Sequence, residues 1–166
     1  ELPALLSTGQ TLTIGSNDAL RRIVLPQYSS GGNTPAVSIQ GNGELNVVSL
    51  NALERVSNIR ISGSANLSTL ELPALATAND LYLDGLSALR AIPDMPNLAT
   101  LGGTLTLRDN FSLASLSGFS ALMRVGRRSV IRTNNSLREC EVQAFVDRVG
   151  QGCDCRDNNG RGDCPP

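Results

Sequence analysis

A nine-residue phrase recurs six times along this 166-residue chain, with copies that begin at Leu12, Val37, Ile59, Leu81, Leu105 and Ser129. Most copies read apolar, any residue, apolar, then five mainly polar or small residues and a Leu. The starts are 22 to 25 residues apart. A period in the twenties is typical of a solenoid, because one such repeat cannot bury its apolar face alone and must stack on its neighbours. Most leucines are therefore structural, and function must be sought between them.

The pattern inside a repeat predicts two short strands. Ile59 and Ile61 alternate with polar residues, as in a strand with one buried face. Leu70 and Leu72 alternate around Glu71 and precede a proline, and no segment between the copies has sustained helical periodicity. We therefore predict a mainly β fold, a right-handed parallel β-solenoid of about six coils over residues 1–139 with a partial first coil. One residue from each copy should form a single inward ladder, namely Ile14, Ile39, Ile61, Leu83, Leu107 and Ile131.

Residues 140–166 have a different character and are predicted to form a C-terminal cap. Residues 141–150 are typical of an amphipathic helix, with Val142, Phe145, Val146 and Val149 on one side. A helix lying across the last coil would hide its open strand edges.

All four cysteines follow position 139, at Cys140, Cys153, Cys155 and Cys164. An even count in such a segment predicts two disulfides, which form in secreted, periplasmic or cell-surface proteins. A bond between Cys153 and Cys155 would close a very small ring, so we expect Cys140 to pair with one of them and the other to pair with Cys164. A zinc site is the alternative, but the C-x-C spacing and the absence of histidine argue against a metal.

The repeats resemble the receptor L-domain family, the leucine-rich-repeat relatives found in growth-factor receptor ectodomains and microbial cell-surface proteins. The strand–turn–Leu phrases carry the resemblance, together with the junctions at 100–107 and 124–131 and the phrase SLREC at 136–140. Leu86 departs from the pattern, since it replaces the Asn or Ser of the turn. The resemblance implies binding of proteins or carbohydrates at a cell surface, with no shared site to transfer.

Composition excludes several function classes. The formal net charge is −1, so no strong field attracts nucleic acid, and no apolar run is long enough to span a membrane. The chain has no histidine, the usual general base, and no nucleophile–base set is evident. We therefore predict a protein that is not an enzyme and uses no cofactor.

Binding is predicted on the outward face of the first strands, where Arg60, Tyr82, Asp84, Arg108 and Arg132 lie. Tyr and Arg are frequent anchors at interfaces, and the expected partner is a protein or a carbohydrate at a cell surface. A structural spacer or adhesin segment without a discrete ligand is the first alternative, and a polysaccharide-active solenoid enzyme is the second.

Three further motifs are given structural interpretations. The basic residues around 124–138 are expected to be exposed charge, although they could grip an acidic polysaccharide. The Arg161-Gly162-Asp163 tripeptide matches integrin ligands but also suits a turn. The sequons at Asn66, Asn110 and Asn134 fall in or near turns that favour asparagine.

Overall fold

The computed structural model describes residues 5–29, 34–150 and 152–160. The described residues form short strands, one 3-10 helix and one α-helix. In chain order these are β1 (Thr11–Gly15), β2 (Arg22–Val24), β3 (Ala36–Gln40), β4 (Val47–Ser49), β5 (Arg55–Ser62), β6 (Thr69–Glu71), β7 (Thr77–Asp84), β8 (Thr100–Leu101), β9 (Thr104–Arg108), a 3-10 turn (Ser117–Phe119), β10 (Arg124–Val125), β11 (Arg128–Arg132), α1 (Glu139–Val149) and β12 (Cys153–Arg156).

The strands form a parallel β-solenoid. The main sheet runs β1-β3-β5-β7-β9-β11-β12, with β8 and β10 paired beside it, and the second sheet runs β2-β4-β6. All strand pairings among the described residues are parallel, as the predicted coiling requires. The second sheet confirms the second strand predicted around Leu70, and a bridge between Ala91 and Ser115 continues that side of the coil.

The predicted inward ladder is confirmed residue by residue. Ile14 pairs with Ile39, Ile39 with Ile61, and the register continues through Leu83 and Leu107 to Ile131. All but Ile14 are completely buried. The core is therefore a stack of aliphatic rows, each supplied by the same position of successive coils.

A shared backbone conformation ends each strand of the main sheet. The residue after the strand has a positive φ in seven successive coils, and these residues are Ser16, Gly41, Gly63, Gly85, Asp109, Thr133 and Asp157. The chain thus bends away from the sheet at the same level in every coil. Since this region of φ disfavours side chains, the glycines in three of these positions follow from the turn.

Buried asparagines follow this bend and bind one coil to the next. The Asn110 Oδ1 accepts the N–H of Leu86 at 2.9 Å, and its Nδ2 donates to the Leu83 carbonyl at 3.0 Å. Asn134 repeats the arrangement one coil later, accepting the N–H of Asn110 at 3.2 Å and donating to the Leu107 carbonyl. Asn158 extends this asparagine ladder by accepting the N–H of Asn134.

The predicted amphipathic helix is present as α1. Val142, Phe145 and Val149 are buried, and the Phe145 ring lies 5.7 Å from that of Phe119. The Arg148 guanidinium donates to the carbonyls of Leu122 and Phe119, which fixes the end of the helix to the preceding coil.

The helix does not cover the strand edge as expected. Strand β12 pairs with β11, with Ser129 opposite Cys153 and Arg132 opposite Arg156. The main sheet therefore continues to Arg156, beyond the residues predicted as repeats, and α1 lies within the last turn of the solenoid.

The predicted cysteine pairing is wrong, because Cys153 is joined to Cys155. Strand alternation places both side chains on the inner face of β12, where they pack against the core. Their Cα atoms are 5.2 Å apart, a separation that suits a disulfide. Cys140 is disulfide-bonded as well, and Cys164 lies outside the described residues.

Candidate ligand-binding face

The predicted binding residues lie on the outer face of the main sheet in two adjacent rows. The central row pairs Arg60 with Tyr82, Tyr82 with Thr106, Thr106 with Val130 and Val130 with Asp154. The second row, two residues further along each strand, runs Asp84, Arg108, Arg132 and Arg156. Neighbouring members of a row are about 4.8 Å apart, the spacing of strands in a sheet.

These rows enclose one concavity of about 370 Å³. The structure brings together all five of the residues predicted from the sequence, because Arg60, Tyr82, Asp84, Arg108 and Arg132 all line it. We name this concavity, with its lining residues, the arginine face. Its remaining lining residues are Thr106, Arg128, Val130 and Asp154.

The floor of the arginine face is formed by Thr106 and Val130. Both point outward from the sheet, yet they are only 9% and 8% exposed. Longer side chains around them must therefore form the walls. Arg128 and Arg132 flank Val130 on the same strand, two residues away on either side, which is about 7 Å in an extended chain.

Tyr82 and Arg60 form one wall. The Arg60 guanidinium carbon lies 5.7 Å from the centre of the Tyr82 ring, within the range of a cation–π contact. Arg60 itself is exposed and Tyr82 is half-buried. The ring is therefore held in place by its neighbour, so fixing it on binding requires little further ordering.

Positive charge predominates on the arginine face. Four arginines and two aspartates line it, and Asp154 contacts Arg132 and lies 3.3 Å from the Nε of Arg156. Desolvation lowers the pKa of Arg132, and the neighbouring charges of Arg156 and Arg108 lower it further. The Nε of Arg132 is buried and has no hydrogen-bond partner in the described part of the chain.

Sequence reasoning missed part of this site. Asp154 was missed because strand β12 was not predicted, and Arg128 was assigned to a separate basic cluster. The structure separates that cluster: Arg128 and Arg132 lie on the arginine face, whereas Arg138 pairs with Glu141 at 3.3 Å near the helix.

The other motifs fall elsewhere. Asn110 and Asn134 are completely buried, and their amides serve the asparagine ladder, which is incompatible with an attached glycan. Asn66 is exposed and donates to the Gly43 carbonyl. The Arg161-Gly162-Asp163 tripeptide lies outside the described residues.

Neither metal sites nor membrane spans are found among residues 5–29, 34–150 and 152–160. No group of three His, Cys, Asp or Glu side chains there is placed to hold a metal ion. No helix in those ranges has the length and apolar character to cross a bilayer.

Comparisons with known proteins assign no family to the chain. No family model matches the chain, and no curated protein or solved structure matches it significantly.

Proposed function

We propose that this protein is a non-catalytic recognition module that binds a protein or glycan at a cell surface through the arginine face. One observation carries the proposal: five residues chosen from four different coils line a single concavity. Tyr and Arg are the residue types most enriched among binding hot spots. The parallel sheet below them is a rigid support, as in other solenoids that bind ligands on a regular face.

The disulfide between Cys153 and Cys155 supports an extracellular, periplasmic or surface location, because such bonds persist in oxidising compartments. The solenoid architecture is also compatible with the receptor L-domain family that the repeats resemble. We propose that the chain is a member of that family.

The arrangement of carboxylates favours binding over catalysis. An inverting glycosidase places two carboxyl groups within about 9.5 Å of each other. Asp84 and Asp154 are the two aspartates of the arginine face, and three strand spacings, or about 14 Å, separate their strands. Asp154 is also engaged by Arg132 and Arg156, so it is poorly placed to act as an acid or base.

The test is a binding screen of immobilised protein against a panel of polysaccharides and cell-surface proteins. A Tyr82→Ala/Arg108→Ala variant should weaken any specific ligand by about 30-fold, which corresponds to a hot spot of about 2 kcal/mol. A Thr13→Ala/Gln40→Ala variant, altered at the opposite end of the same outer face, should bind normally.

An Asp163→Ala variant distinguishes the competing adhesive-loop interpretation. Retained binding in Asp163→Ala with loss in Tyr82→Ala/Arg108→Ala supports the proposal. The reverse result would make this an adhesive-loop protein. If no member of the panel binds, the spacer alternative is favoured instead.

A further inference from the structure

Three arginines lie in line across the last three strands of the main sheet. Arg108 is paired with Arg132, and Arg132 with Arg156, at directly opposite positions. We name these three residues the arginine stripe, which extends over about 10 Å along the solenoid axis at the strand spacing. Like charges directly opposite each other destabilise a sheet, so this arrangement calls for a counter-charge.

The described residues provide only part of that counter-charge. Asp154 contacts both Arg132 and Arg156, and the negative charge of Asp157 also acts on Arg132. Asp84 lies opposite Arg108 on the neighbouring strand. Neither Arg108 nor Arg128 forms an ion pair within the described ranges, and the buried Nε of Arg132 donates to no acceptor there. Several guanidinium N–H groups around the floor formed by Thr106 and Val130 can therefore donate hydrogen bonds to a ligand.

These guanidinium groups lie on two sides of Val130. Arg128 approaches the Val130 floor from one side and Arg132 from the other, with Arg108 beside Arg132 on the neighbouring strand. A planar guanidinium presents paired N–H groups that match the two oxygens of a carboxylate. Burial lowers the pKa of Arg132, and the neighbouring charges of Arg156, Arg108 and Arg128 lower it further, against an opposing effect of Asp157.

We propose that the arginine stripe binds the carboxylates of an acidic polysaccharide, with sugar units lying along the solenoid axis. This inference rests on the proposed function and specifies its ligand class. Successive strands present successive arginines, so a polymer with repeated acid groups engages more than one guanidinium. Tyr82 supplies an amphipathic ring against which a sugar ring can pack.

An acidic peptide fits this surface less well. Extended peptides gain affinity by pairing their backbone with an exposed sheet edge. Arg108 and Arg132 lie on β9 and β11, whose backbone groups are already paired with strands on both sides, and only Arg156 lies on the end strand β12. Six of the nine lining residues are charged, and the buried floor consists of only Thr106 and Val130, so this face has no deep apolar pocket for side-chain anchors.

The experiment measures binding by calorimetry with polygalacturonate as the probe, dextran as the neutral polysaccharide and polyglutamate as the polyanion without sugars. The native protein should bind polygalacturonate most tightly, with an affinity that falls as salt rises. An Arg108→Gln/Arg132→Gln variant should bind about 100-fold more weakly, since loss of each charged hydrogen bond weakens binding roughly tenfold.

The matched control is Arg22→Gln/Arg90→Gln, which removes the same charge from exposed positions away from the stripe. It should change polygalacturonate affinity by less than about twofold. To separate binding from folding, the Arg132 Nε–H signal of the native protein should shift in NMR spectra when an oligogalacturonate is added.

Three results would overturn the inference, and the third has a form that still leaves the recognition module standing. Equal loss in the control would mean non-specific charge attraction, and tighter binding of polyglutamate would point to an acidic protein. Absence of polygalacturonate binding would also exclude the proposed ligand class. Tyr82-dependent binding of dextran without polygalacturonate binding would retain the recognition module while rejecting the acidic ligand.

Discussion

Replacing Asn110 by alanine should destabilise the solenoid through the loss of two backbone partners. The Asn110 side chain is completely buried; it accepts the N–H of Leu86 at 2.9 Å and donates to the carbonyl of Leu83 at 3.0 Å. Both residues are themselves completely buried, so water cannot readily replace the amide. A buried polar group left without a partner typically costs about 1–3 kcal/mol.

Because Asn110→Ala leaves two such groups without partners, the free energy of unfolding should fall by about 2–6 kcal/mol. We expect a loss of about 3 kcal/mol. For a chain of this size, that loss lowers the melting temperature by roughly 6–12 °C. Thermal unfolding followed by far-ultraviolet circular dichroism measures it. Asn135→Ala is the matched control, because Asn135 is exposed and adjacent to the next member of the ladder.

An Asn110→Leu variant separates hydrogen bonding from packing. The chain itself has a leucine, Leu86, at the corresponding position of the preceding coil, so the space can be filled by an apolar side chain. If the hydrogen bonds dominate, the leucine variant melts nearly as low as the alanine variant. A melting temperature for Asn110→Ala within 1 °C of the Asn135→Ala control would refute the reasoning.

Two further predictions concern a close backbone contact and the disulfide. A Cβ at Gly126 would collide with the Gly102 carbonyl oxygen, whereas one at Gly43 meets nothing within 4 Å. Gly126→Ala should therefore cost about 1–3 kcal/mol in urea unfolding and Gly43→Ala almost nothing, and equal stability of the two would contradict the close contact. Replacing Cys153 and Cys155 by serine should cost roughly 1.5 kcal/mol, as expected for so short a loop, and less than the ~2–5 kcal/mol typical of losing a native disulfide. Alkylation of four thiols in the native protein, measured by mass spectrometry, would disprove the disulfide.

The inward and outward rows of the main sheet could be predicted from the sequence. Alternation fixes which side chains of a strand share a face, and the repeat period fixes which residues of successive coils are neighbours. These two rules predict that Ile61 and Leu83 lie inside and that Arg60 and Tyr82 lie outside. The structure confirms both pairs.

Strand β12 could not be found by a search for aliphatic residues. It lies 24 residues after β11, with Cys155 in the inward position of Ile131. Cysteine in the inward positions concealed this seventh copy of the phrase. Two signals remained in the sequence: Arg156 repeats Arg132, and Asn158 repeats the buried Asn134.

The cysteine pairing was mispredicted for a related reason. Sequence separation alone disfavours a bond between Cys153 and Cys155, because it closes a very small ring. Once β12 is recognised as a strand, however, alternation puts both side chains on its inner face. The local geometry of the strand therefore outweighed the argument from sequence separation.

The composition of the arginine face depends on the regularity of the coils around it. Asp84, Arg108 and Arg132 occupy corresponding positions of three successive repeats, 24 residues apart from one to the next. A one-residue slip in any of these strands would turn its outward side chain into the core and disperse the concavity. The same positive-φ bend and the same buried asparagine fix the end of β9 and of β11, so they hold Arg108 and Arg132 in register. The asparagine ladder and the binding face are thus linked, and loosening the ladder at Asn134 should disturb the arginine stripe as well as the stability of the fold.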